Sequence, residues 1–235
     1  MEPGPLGALE RRILGVLIEK AFCTPDAYPM TVNAIMAGCN QKSARDPLLE
    51  TNADALAPAL ERLKTGGLVQ CIFPATGRTE RWRHILKEAW DVDGRDRAAL
   101  AELLLRGPQT EGELRANAKR MQEFPTAEDL IGTLESLAED GFARRLSPAG
   151  QQRGVVWTHL LYTPEELARV VDRQRSAAEP TEEPALAADS TAPRRAAGDD
   201  RVAALEEQFR LLSAKLADLA DAHDHLAGRV ESLLR

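Results

Sequence analysis

Asn33, Asn40, Gln41, Lys42 and Arg45 combine amides with cations in a short span, and Arg78, Arg81 and Arg83 follow further along the chain. Amides and guanidinium groups can read base edges, while lysine and arginine can hold phosphates. These eight residues are the candidate surface for nucleic acid or a partner. Capping and local loop bonds account for the asparagines nearly as well.

The other reactive side chains assemble nothing comparable. His84 and His159 fall at equivalent places in two repeats, and His223 and His225 stand two apart on a helix and face different ways. No HExxH, CxxC, GxSxG, GxGxxG or GxxxxGK pattern occurs, so metalloprotease, dithiol, hydrolase and nucleotide-binding chemistry lose their usual flags. Cys23, Cys39 and Cys71 read as three buried thiols. The expectation is a non-enzymatic chain with no catalytic, cofactor-binding or metal-binding residues. No leader pattern and no apolar run near the ~20 residues that cross a bilayer is seen, so a cytoplasmic location without membrane contact is expected.

The elements that must position these residues repeat. Leu60, Leu63, Gly67 and Leu68 recur as Leu134, Leu137, Gly141 and Phe142, and Trp82, His84, Ile85 and Leu86 recur as Trp157, His159, Leu160 and Leu161. Helical spacing joins Leu6, Leu9, Ile13, Leu17 and Ile18, with Glu10, Arg11, Arg12 and Glu19 on other faces. Val32, Ile35, Met36 and Cys39 mark a second helix. Leu56, Leu60 and Leu63 mark a third, opened by Thr51 and Asp54 at capping-box spacing and bent by Pro58. Strands follow at 68–73 and 81–86.

In the second copy Thr110 caps the short helix, Thr126 and Asp129 cap the third, and strands are expected at 142–146 and 155–160. The fold class is mainly α with small β-hairpins: tandem winged helix-turn-helix domains at 6–90 and 96–163, plus a C-terminal heptad helix. Each domain is expected to form its own core. Trp82 and Trp157 either pack back onto the helices or stack on bases or a partner.

Residues 176–200 are rich in Ala, Pro, acid and Thr and read as a flexible linker. Over 201–234 the apolar residues alternate by threes and fours, with Leu205, Phe209, Leu212, Leu216, Leu219, His223, Leu226 and Val230 as candidate self-association positions. This seam implies a homo-oligomer or a helical protein partner; folding back onto the domains is the other reading.

The formal net charge is -7. Acid outnumbers base in 91–165 and in 166–235, while 1–90 is nearly balanced. Glu19 with Lys20, and Glu102 with Arg106, read as surface charges. The outward side of the third helix offers Asp54, Ala57, Glu61 and Lys64, and its counterpart offers Glu128, Ile131, Glu135 and Glu139. So many carboxylates oppose phosphate, which favours the first domain for DNA and the second for protein binding or dimerisation.

The chain resembles the YceH-like family of bacterial proteins. The resemblance rests on Leu17-Ile-Glu-Lys20, Thr24-Pro-Asp-Ala-Tyr-Pro-Met-Thr-Val-Asn33 and Cys39-Asn-Gln-Lys-Ser43, then on Leu103-Leu-Leu-Arg-Gly-Pro-Gln-Thr110, Gly112-Glu-Leu-Arg115 and Arg120-Met-Gln-Glu-Phe124. It implies paired winged-helix domains with a helical, coiled-coil-prone tail, and it brings no catalytic assignment. The matched motif residues include Tyr28, Pro29, Asn33, Asn40, Gln41, Lys42, Arg45 and Pro47, with Arg106, Gly107, Thr110, Glu113, Leu114 and Arg115 in the second copy. The long linker and Pro58 depart from the family pattern. The functional expectation is regulatory DNA binding through the first domain. The alternative is a protein-interaction adaptor resembling winged-helix subunits of chromosome-organising complexes.

Overall fold

The computed structural model describes residues 3–73 and 79–178. Helix α1 (Ala8–Cys23), a 3-10 turn (Pro25–Ala27), α2 (Val32–Cys39) and α3 (Ala53–Thr65) lead into the hairpin β1 (Val69–Ile72) and β2 (Arg81–His84). After α4 (Leu86–Trp90) the order recurs as α5 (Gly94–Arg106), β3 (Gln109–Thr110), α6 (Glu111–Ala118), α7 (Ala127–Glu139), β4 (Ala143–Arg145) and β5 (Val156–His159), and α8 (Pro164–Ala178) follows. The described part is thus mainly helical with small antiparallel hairpins.

The repeat extends to backbone pairing. In the first hairpin Val69 faces His84 and Ile72 faces Arg81, and an isolated bridge pairs Met30 with Trp82. In the second, the strand order is β3-β5-β4, with Gln109 opposite Trp157 and Ala143 opposite His159. Each copy therefore pairs the residue two positions before its second helix, Met30 or Gln109, with the tryptophan of its last strand. Both indoles are buried, so packing onto the helices is the role these tryptophans fill.

Local signals explain the helix starts. Thr110 and Glu113, Thr126 and Asp129, and Asp93 and Asp96 form reciprocal capping boxes that satisfy otherwise orphaned amides. The cap of α3 is Asn52, which accepts from the Ala55 amide, instead of the expected Thr51. Asn52 wins because Thr51 is already tied by its backbone to the Asn40 side chain. Helix α3 runs through Pro58 as one element. The strands are shorter than expected, since Ile85 and Leu86 turn into α4.

Two separate cores were expected, and this needs correcting. The buried apolar residues of both copies form one cluster running from Ile13 to Leu161. Its axis is α1, buried from Glu10 to Glu19 on every face and packed most extensively against α5. Ile13, Leu14, Val16, Leu17 and Ile18 cover more than half of the helix circumference and buried Arg11, Arg12, Gly15 and Glu19 the remainder, and each such apolar side chain withdrawn from water contributes about 1.5–3 kcal/mol. Trp90 meets Phe142 at 5.0 Å between ring centroids, and the Leu6 amide donates to the Leu161 carbonyl, so chain from each half closes on the other.

Residues 176–178 continue α8, so helix occupies the start of the expected linker. The rest of that linker, the heptad helix over 201–234 and its candidate self-association residues lie outside the described residues. Among the described residues no helix is long and apolar enough to cross a membrane.

Candidate nucleic-acid interface

The candidate surface divides into side chains that face water and side chains that the fold consumes. Asn33 on α2 and Lys42 in the following loop are exposed. Asn40 is not available: its amide donates to the Thr51 carbonyl at 2.8 Å and its oxygen accepts from the Thr51 amide at 2.9 Å. Gln41 donates to the Ser43 carbonyl and hydroxyl, both at 3.0 Å, which holds the loop in shape. On the hairpin, Arg81 donates to the Pro29 carbonyl and Arg83 to the Gln70 side chain, each at 2.9 Å. Both remain partly exposed. Arg78 lies outside the described residues.

Arg45 departs furthest from its expected role. Its side chain is fully buried and forms a two-pronged pair with Glu19, at 2.6 and 3.2 Å. It also donates to the carbonyls of Gly38 and Ala44. Glu19 is itself fully buried, not a surface charge. Its carboxyl titrates below the ordinary range. Burial alone would raise it, but the Arg45 hydrogen bonds and the Arg45 and Arg120 charges outweigh that.

The network continues across the junction of the copies. Arg120, from the turn after α6, donates to Glu19 of α1 and to Glu102 of α5, the latter at 2.5 and 3.1 Å. Glu102 is fully buried and Arg106 lies 3.2 Å away, so this pair too is no surface feature. Arg45, Glu19, Arg120 and Glu102 therefore form a chain of alternating charge, buried at Arg45, Glu19 and Glu102 and reaching water at Arg120. The sequence places Glu19 and Glu102 among surface charges and gives Arg120 no role, because acids and bases on helix faces ordinarily meet water. The available signal was the run from Ile13 to Ile18, more apolar than a one-sided helix requires.

Other charges on α1 are also consumed. Arg11 grips Glu166 of α8 at 2.8 and 3.0 Å, and Arg62 of α3 pairs with Glu10. The thiols correct another expectation. Cys39 is buried, and burial pushes it up to about 12, whereas Cys71 is half-buried and Cys23 exposed.

The exposed charges have a consistent layout. The outer face of α3 carries Asp54 and Glu61 with Lys64 paired to Glu61, and that of α7 carries Glu128, Glu135 and Glu139. The hairpins carry cations: Arg81 and Arg83 in the first copy, Arg144, Arg145 and Arg153 in the second. The latter three escaped the sequence reading, which judged the second copy by its acidic helix. Among the described residues, no group of three or more His, Cys, Asp and Glu side chains could hold a metal ion.

Comparison with known proteins gives a consistent set of relatives. The family model described as a protein of unknown function, DUF480, matches residues 6–151. A UPF0502 protein of Rhodopirellula baltica is 42% identical over 207 residues, covering 88% of this chain and 86% of its own. One from Azoarcus sp. is 37% identical over 221 residues, covering 93% and 91%, and one from Pseudomonas aeruginosa is 38% identical over 188 residues, covering 80% and 84%.

Proposed function

The chain belongs to the DUF480 family, in keeping with its YceH-like motifs, and we propose that it is a regulatory protein that binds duplex DNA through paired winged-helix units. The observation that carries this reading is the hairpin charge. Both hairpins present arginines to solvent, while the outer face of α7 presents carboxylates and that of α3 sets Asp54 and Glu61 against Lys64. Phosphate attraction supplies sequence-independent affinity, and carboxylates in a groove oppose it. The hairpins and Lys42 are thus the contacts, and α3 and α7 do not lie deep in the major groove. Arg81 and Arg83, each steadied by one hydrogen bond, present guanidinium groups for phosphate; Asn33 and Lys42 extend that patch. In the same reading the heptad positions from Leu205 to Val230 join chains, which multiplies the phosphate contacts.

Fluorescence anisotropy with labelled genomic duplexes tests it. The expected result is binding that weakens steeply with salt. Lys42→Gln combined with Arg83→Gln lowers affinity similarly for all sequences and reduces the salt slope by about one per cation removed. No binding at low salt, or binding indifferent to both changes, overturns the reading. The acidic outer face of α7 favours a second reading, an adaptor for a basic protein partner, whose binding would fall with Glu128→Gln and Glu135→Gln.

A further inference from the structure

A cleft of about 330 Å³ lies where α1, α5, α8 and the loop at Asp46 and Pro47 meet. Five arginines line it: Arg11, Arg12, Arg106, Arg169 and Arg173. Two carboxylates join them, Asp46 and Glu166, and Glu166 is already held in both prongs of Arg11. From this imbalance we propose that the cleft binds a small, multiply charged anion bearing phosphate or carboxylate groups, as a site distinct from the DNA-contacting hairpins.

The case rests on Arg12. Its residue surface is 2% exposed, yet no carboxylate lies within ion-pair distance among the described residues. Its guanidinium donates only to carbonyls, those of Cys39, Pro47 and Leu105, and its buried Nε–H has no acceptor. A buried cation without an opposite charge is costly, and such groups are normally paired. Two neighbouring carboxylates are committed elsewhere, Glu102 to Arg120 and Arg106 and Glu19 to Arg45 and Arg120, and Asp46 acts on Arg12 only through space, with no ion pair between them.

An anion in the cleft supplies the missing charge. Arg169 and Arg173, exposed and one helical turn apart on α8, close over it from the opposite wall. Planar guanidinium forks suit phosphate and carboxylate oxygens, and the volume suits a metabolite rather than a polymer. Asp46 opposes the anion and sets a preference for ligands that keep their charge away from that wall.

Titration calorimetry of the full chain with pyrophosphate, and separately with citrate, at fixed ionic strength tests the site. Saturable binding of either anion is expected, at one per chain. Arg169→Gln with Arg173→Gln, exposed changes that leave the core intact, weakens it by at least about tenfold. Lys119→Gln with Arg144→Gln, which removes equal charge off the cleft, leaves it unchanged. A preference for pyrophosphate identifies a phosphorylated ligand, and a preference for citrate a polycarboxylate. The melting temperature rises with the bound anion and not with sodium chloride at equal ionic strength. Failure of both anions to saturate, or equal loss in both double variants, overturns the proposal whatever the DNA experiment gives.

Discussion

Arg45 and Lys42 stand three positions apart with the same charge, and the fold uses them in opposite ways. Arg45 is withdrawn to neutralise Glu19, while Lys42 remains in water. Glu19→Gln should cost about 3–5 kcal/mol in urea unfolding, because it strands buried Arg45 and deprives Arg120 of one partner. Lys42→Gln should leave stability within about 0.5 kcal/mol. The strand-end histidines give a separate test. Burial holds His84 down to about 4, helped by the Arg97 charge, and His159 down to about 3, helped by Arg11. Both are neutral in the folded chain at pH values where the unfolded chain protonates them. Their contribution is complete above about 6.5 and is lost as the pH falls toward 4, at up to about 1.4 kcal/mol per pH unit for each. His159→Gln should flatten the acid limb of a stability profile; an unchanged limb would show that His159 is not the group responsible.

At the scale of elements, α1 and α5 approach closely because Gly15 has no side chain. A Cβ there would sit 2.9 Å from Leu105 side-chain carbons and 3.3 Å from the Leu104 Cβ. Gly38 plays the same part between α2 and α1, where a Cβ would fall 2.6 Å from a Val16 methyl. Gly15→Val should therefore destabilise by about 1–3 kcal/mol despite the poor helix propensity of glycine, and Gly112→Ala, in open space on α6, should be neutral or stabilising. Thermal melts of the two variants decide between packing and propensity. Much at this scale was legible in the sequence. The stripe of Leu130, Leu134 and Leu137, the caps at Thr110 and Thr126, and the two hairpins depend on neighbours a few residues away. Glu19 meets Arg45 and Arg120 from 26 and 101 positions away, and no local pattern distinguishes such an acid from a solvated one. The full burial of α1 was legible in part, since Ile13 to Ile18 is nearly all apolar. Its stripe of Leu6, Leu9, Ile13 and Leu17 made it look like a one-sided helix.

For the molecule as a whole, the two copies behave as one body because α1 and α5 are each core to both. The buried carboxylates Glu19 and Glu102, bridged by the partly exposed Arg120, lie on that seam, so loosening either copy exposes them. The exposed cations of the hairpins, and the arginines of the cleft, are then carried on a single frame. The most direct test of that frame is native-state hydrogen exchange on the full chain in mild denaturant. Slow amides of α1 and α3 are predicted to converge with those of α5 and α7 on one opening free energy, and Glu19→Gln is predicted to lower all four helices by the same amount. Wild-type protection persisting in α5 and α7 while α1 and α3 exchange freely would contradict it.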